Sequence, residues 1–411
     1  MSARNRQPSL RPGFSIERLE DRRLMAGDVR AQLINGTVFL TETGGNGGAQ
    51  AVQVSQMQDG RIRVEGGAAD DGFTKINGGN AAVFGQPLGA LAPRLNLHVN
   101  LGGGNDRVVV RDAKLKDVTI LAGDSFGQGA NDDDFVLVNN LKTSGAVNIS
   151  TGAGSDSVSV LGTTVGDPTG ADDLTVRAGI AGVPGATDLD AVQIQGTAVF
   201  GSTRVETGAG ADVVSIQNSF FGDATTDPMC IDAGAGADTV ELGTTRSLGV
   251  VAGPVVARGD LSVFGDSFSD PEAAAGDDVV RMQDVSSPEF ITVNLLNGND
   301  VLEITNIHAK FVNLHGEKGN DTFRLTEIYA LDTVFAKMGD GDDALDMVAV
   351  RAHRVETDGG AGALDKLTTY DMANIPLTRT GFEFVNGKRV QSKGGANDLG
   401  GLTNVEFQST R

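Results

Sequence analysis

Nine Gly-x-Asp triplets, ending at Asp106, Asp156, Asp172, Asp212, Asp238, Asp278, Asp300, Asp321 and Asp343, place carboxylates at recurring points along more than half of this chain. A row of carboxylates has two chemistries open to it. Its oxygens can ligate a hard cation, or each can accept a hydrogen bond within its own turn. What repeats around the triplets bears on the choice. The residues two and four places after every one of these Asp are apolar, as at Val158 and Val160 or Phe323 and Leu325. The residue between them is polar except at Val109. That pattern is a tight turn followed by a half-buried strand of period 2.

The spacing sets the architecture. From Asp278 onward the aspartates are 22, 21 and 22 residues apart. Position and strand pattern admit two further turns, Asp134 before Val136 and Val138, and Asp190 before Val192 and Ile194. The longer gaps then have a location. Asp117, Asp173 and Asp260 start similar strands, and the chain between each and the next aspartate turn is enlarged, over roughly 122–133, 178–189 and 265–277. Further excess falls in 166–170 and 222–228. Insertions confined to turns are what a solenoid tolerates.

A unit of about 22 residues is too short for the common helical repeats and suits one coil of a parallel β-helix. The spacing predicts an all-β chain, a right-handed parallel β-solenoid over 101–366, as a rod roughly 50–60 Å long. Residues 30–100 read as an imperfect lead-in, with Asn35-Gly36 as a hairpin turn and Gln50-Ala-Val-Gln-Val54 repeating the pattern with Gln50 in place of Asp. Residues 367–411 read as a C-terminal cap, with a hairpin over 384–390. Residues 1–29 read as a disordered basic leader; the first 27 hold six Arg and no Lys.

Composition excludes several classes. A formal charge of −21 and a pI near 4.5 argue against nucleic acid and anionic membrane partners. Cys230 alone allows no intramolecular disulfide framework. No run of apolar residues is long enough for a transmembrane helix, so membrane insertion is not expected.

Two resemblances add expectations. Gly102-Gly-Gly-Asn-Asp106, Gly152-Ala-Gly-Ser-Asp156, Gly208-Ala-Gly-Ala-Asp212, Gly234-Ala-Gly-Ala-Asp238 and Gly339-Asp-Gly-Asp-Asp343 resemble the hemolysin-type (RTX) calcium-binding nonapeptide. The resemblance implies calcium between turns of adjacent coils, held by Asp106, Asp156, Asp212 and Asp238, and above all by the uninterrupted row Asp278, Asp300, Asp321 and Asp343 with Asp277, Asn299, Asn320 and Asp342. Calcium takes six to eight oxygens, and glycines free backbone carbonyls to face it. The departure is that only one such turn occurs per unit, where the RTX roll has two. Phe14-Ser-Ile-Glu-Arg-Leu-Glu-Asp-Arg-Arg-Leu-Met-Ala-Gly27 resembles the N-terminal element of many large planctomycete surface and secreted proteins, which implies a bacterial cell-surface or extracellular destination.

Other motifs carry less. Gly123-Asp-Ser125-Phe-Gly127 spells a nucleophile elbow, but that elbow needs a strand-to-helix turn that is not expected here. Arg258-Gly-Asp260 spells an adhesion tripeptide, yet Asp260 aligns with Asp117 and Asp173 as a strand start. His98, His308, His315 and His353 have no metal-ligand spacing. The function expected is a non-catalytic secreted or cell-surface solenoid with a structural or adhesion role, whose partners are envelope or extracellular components, polysaccharide among them. The alternative is a β-helix polysaccharide lyase or hydrolase, for which the absence of Trp and the presence of only Tyr329 and Tyr370 leave few aromatic platforms.

Overall fold

In the computed structural model each coil contributes three strand runs, and every run pairs in parallel with its counterpart one coil away. The structure describes residues 28–382, except 44–47, 71, 88–93, 124–131, 169, 171, 180–187, 244–252, 267–275 and 373–375, together with 384–385 and 388–389. One coil shows the plan: Ser157–Leu161, Thr164–Val165 and Leu174–Arg177. The next coil repeats it as Ala191–Gln195, Ala198–Val199 and Thr203–Glu206, with Val158 opposite Val192 and Val176 opposite Val205. In the coils near the C-terminus the runs fuse into the long strands Val301–Lys318 and Thr322–Asp340.

The period-2 pattern decides which side chains fill the rod. Val136, Val158, Val192 and Val214 stack as one buried file, and Val138, Val160, Ile194 and Ile216 as the next. Each is almost fully removed from water, and burial on this scale stabilises by about 1.5–3 kcal/mol per side chain. The residues between them face out. Along that outer file Glu241, Arg281, Glu303 and Arg324 alternate in sign, with Arg281 and Arg324 both bonded to Glu303. These pairs are exposed and add little to stability.

Both ends depart from the plan. Asp28–Ile34 and Thr37–Glu42 form the hairpin expected at Asn35-Gly36, both residues having positive φ. Ala51–Gln56 then joins the stack in register with Arg107–Arg111, as the Gln50 pattern predicts, and Ile62–Gly66 covers its other edge in antiparallel sense. At the far end the stack runs past residue 366, through Lys366–Tyr370 and Leu377–Thr380, before the hairpin Phe384–Val385 and Lys388–Arg389.

The enlarged turns lie largely outside the described residues, at 124–131, 180–187 and 267–275. Another insertion was not expected: residues 244–254 separate the strands Thr239–Gly243 and Val255–Ala257, whose partners one coil earlier are separated by Asn218 alone. Asp172 also departs from its motif. It does not join the other Gly-x-Asp aspartates but precedes the third run, Leu174–Arg177, at the corner it shares with Asp117.

A second recurring corner stands six residues after each aspartate of the main row but Asp238, whose sixth following residue lies outside the described residues. Asp112, Asn140, Asn218, Asp284, Asn306, Glu327, Ala349 and Asp371 are left-handed there, and Gly162 and Gly196 take the same place. Asn and Asp tolerate this conformation best among residues with a side chain. Asn306 Nδ2 also donates to Asp284 Oδ1 at 2.6 Å, one coil back. Replacing Asn306 with Val should therefore cost about 1–3 kcal/mol, and replacing it with Gly clearly less. The denaturation midpoints of the two variants test the ranking.

Candidate functional site

Every aspartate of the row turns inward. Asp106, Asp134, Asp156, Asp190, Asp212, Asp238, Asp278, Asp300, Asp321 and Asp343 are each at most 2% exposed. The reason is parity: if the second and fourth residues after Asp face the interior, so does the Asp itself. Gln50 and Asp365 hold the same buried position at the two ends of the row.

These side chains form one continuous ladder. The backbone N–H of each donates to Oδ1 of the next, at 2.7–2.9 Å for every step from Asp106 to Asp365. Gln50 N–H starts it by donating to Asp106 Oδ1 at 2.6 Å. The ladder satisfies a backbone donor that the corner would otherwise bury unpaired. Asp300 and Asp321, bonded at 2.9 Å, are thus neighbours across one coil spacing, as a solenoid requires.

A second ladder runs one residue earlier in each turn, on the outer surface, with the opposite sense. Asp277 Oδ1 accepts from Asn299 N–H, Asn299 Oδ1 from Asn320 N–H, Asn320 Oδ1 from Asp342 N–H, and Asp342 Oδ1 from Leu364 N–H. The Nδ2 groups of Asn299 and Asn320 also donate back along the row. Asn105, Asp133 and Ser155 make a shorter stretch of the same kind.

Burial acts on the inner carboxyls more strongly than any other influence. It pushes Asp134 and Asp278 up to about 10, Asp190 and Asp238 to about 9, and Asp300 to about 8. Asp156, Asp212 and Asp321 rise to about 7 and Asp343 to about 6. The N–H from the preceding coil pulls each down, and neighbouring carboxyls in most cases push up again. At Asp156 and Asp212 the hydroxyls of Thr151 and Thr207 also oppose the rise.

This arrangement does not fit calcium. One oxygen of each inner aspartate is committed to an N–H. At four turns the other packs against the glycine-rich approach to the same turn: a Cβ built on Gly179 would stand 2.6 Å from Asp190 Oδ2, one on Gly123 2.9 Å from Asp134 Oδ2, and Cβ atoms on Gly265 and Gly316 would overlap Asp278 and Asp321. The oxygens left over are buried singly, and the six to eight that calcium takes are not gathered at one point among the described residues. In the outer row Asp277, Asn299, Asn320 and Asp342 are exposed, but half of them bring amide donors into the row. Among the described residues no three His, Cys, Asp or Glu side chains converge on one point.

The remaining motifs find ordinary places. Ser125 lies outside the described residues. Asp260 precedes the strand Leu261–Asp266, and the Arg258 guanidinium lies 5.3 Å from the Phe220 ring centre. His308 stacks on Tyr329 at 4.8 Å, and His98 and His315 tilt against Phe39 and Phe335. His353 is exposed. Compared with protein-family models, with curated proteins and with solved structures, the chain matches none.

Proposed function

We propose that this chain is a non-catalytic rod of the bacterial cell surface or its surroundings, with a structural or interaction role. The supporting observation is the sameness of its coils. The inner ladder passes through every coil from Gln50 to Asp365, and among the described residues no coil is rebuilt around a reactive group. An enzyme on such a frame brings unlike groups together at one level: a nucleophile or base, its orienting partner and a charge stabiliser. Here the groups that meet across coils are alike or matched in charge, as Asp on Asp inside and Glu303 between Arg281 and Arg324 outside. The destination rests on residues 14–27, which lie outside the described residues.

A rod of thirteen stacked first-run strands is about 60 Å long. Its partner surface is placed near the C-terminal end, where Leu331 is 81% and Tyr370 72% exposed and Tyr329 closes the stack on His308. Leu331 and Tyr370 are the most exposed of the large apolar side chains among the described residues, and such side chains are what contact surfaces draw on. The test is sedimentation of the full chain with bacterial envelope fragments and with isolated polysaccharide. The rod should co-sediment, and serine at positions 329, 331 and 370 should release it without moving its melting curve. New reducing ends or unsaturated sugars released from polysaccharide by the purified rod would instead establish the lyase or hydrolase reading.

A further inference from the structure

Asp278, Asp300 and Asp321 form an unbroken stretch of the inner ladder. Each uses Oδ1 as the acceptor for a backbone N–H, and the Oδ2 atoms of all three are buried without a hydrogen-bond partner. The groups facing them from the neighbouring coils and turns are Asp238, Asp266, Asp277 and Asp343, which are acids without exception. Among the described residues no Lys or Arg stands out beside them, and the glycine backbone at Gly265 and Gly316 packs directly against Asp278 and Asp321. Stacked carboxylates about 4.8 Å apart in a medium of low dielectric cannot all be ionised without compensation. A cation, a counter-charge or a proton can supply that compensation, and single buried Oδ2 atoms packed against glycine backbone favour the proton. Gln50 shows that the position accepts a neutral side chain, since an uncharged amide holds the same buried place in the first coil.

We infer that the inner aspartates Asp278, Asp300 and Asp321 are held as neutral carboxylic acids, so that this part of the column takes up protons where the RTX resemblance would place calcium, and the rod loosens as the medium turns alkaline. The burial-driven rise supports this, to about 10 for Asp278, 8 for Asp300 and 7 for Asp321. The sign follows from linkage. Folded values above the unfolded value of about 3.9 give stability that is fully present below it and is lost as pH rises through the folded values.

The experiment uses the full chain at fixed ionic strength. Melting temperature should fall by at least about 5 °C between roughly pH 5 and pH 9, and calcium against chelator should make no difference at neutral pH. Infrared spectra at neutral pH should show the carbonyl stretch of protonated carboxylic acid. The triple variant D278N/D300N/D321N keeps the Oδ1 acceptors and removes three titrating groups, so it should weaken that band and flatten the alkaline side of the melting profile. If the variant fails to fold, the pH titration of the infrared band in the unaltered chain decides alone. A melt that rises toward alkaline pH, an absent acid band, or a chelator-lowered melting temperature would overturn the inference.

Discussion

Replacing Val160 with Asp is expected to destroy cooperative folding of the rod or to cost about 4 kcal/mol or more, whereas Ser159→Asp should stay within about 0.5 kcal/mol. Val160 lies between Val138 and Ile194 in the neighbouring coils and is fully buried. A carboxylate there meets methyl groups above and below, with no backbone donor aimed at it. Ser159, one residue earlier, faces out between Leu137 and Gln193, where water solvates an added charge. The contrast with the inner aspartates sharpens the argument. Those carboxyls are tolerated because each meets an N–H at hydrogen-bond distance, and position 160 offers none. Chemical denaturation of the two variants settles it; equal midpoints would mean that the inward and outward files are misassigned.

Gly319→Ala should be nearly as damaging, at about 3 kcal/mol or more. Two effects combine at this residue. Its φ of 123° lies in a region that side chains avoid, and a Cβ there would overlap the carbonyl oxygen of Gly298 in the coil below. The obstacle is the backbone of Gly298 and Asn299, so no side-chain rotation relieves it. Gly36, at a φ of 79° with nothing within 4 Å of an added Cβ, is the control. Gly36→Ala should carry only the conformational part, about 1–2 kcal/mol. Thermal melts that rank Gly36→Ala as the worse of the two would show that corner stacking is looser than these contacts imply.

The strands were legible because the apolar residues two and four places after each Asp state both the period and the face. Position and strand pattern also recovered Asp134 and Asp190, which lack the full triplet, and Gln50, which is not an Asp. The direction of the aspartates was equally available, since period 2 carried back two residues puts them inside. Reading them as turn ligands hid this, because a Gly-x-Asp turn is good chemistry facing either way. Asp365 was missed because Ala363-Leu364 breaks the triplet. The left-handed corner was missed although Asp112, Asn140, Gly162, Gly196, Asn218, Asp284, Asn306 and Asp371 spell it in the residue types that tolerate positive φ. The insertion at 244–254 was not legible, because chain length alone does not say which of several corners has absorbed the excess.

The inner ladder has a consequence for how such a rod can begin, end or be cut. All its side chains reach toward the N-terminal end, and all the N–H groups they meet look toward the C-terminal end. A cut between coils would therefore bare carboxyl acceptors on one face and amide donors on the other, two surfaces that fit each other and not themselves. The intact chain avoids this at its first coil, where Gln50 turns its amide to Gly48 and presents no carboxyl, and the antiparallel strand Ile62–Gly66 occupies the edge. A fragment beginning near residue 104 would lack that closure. It would carry the makings of head-to-tail filaments, so the lead-in strands serve as a terminator that keeps a directional stack finite.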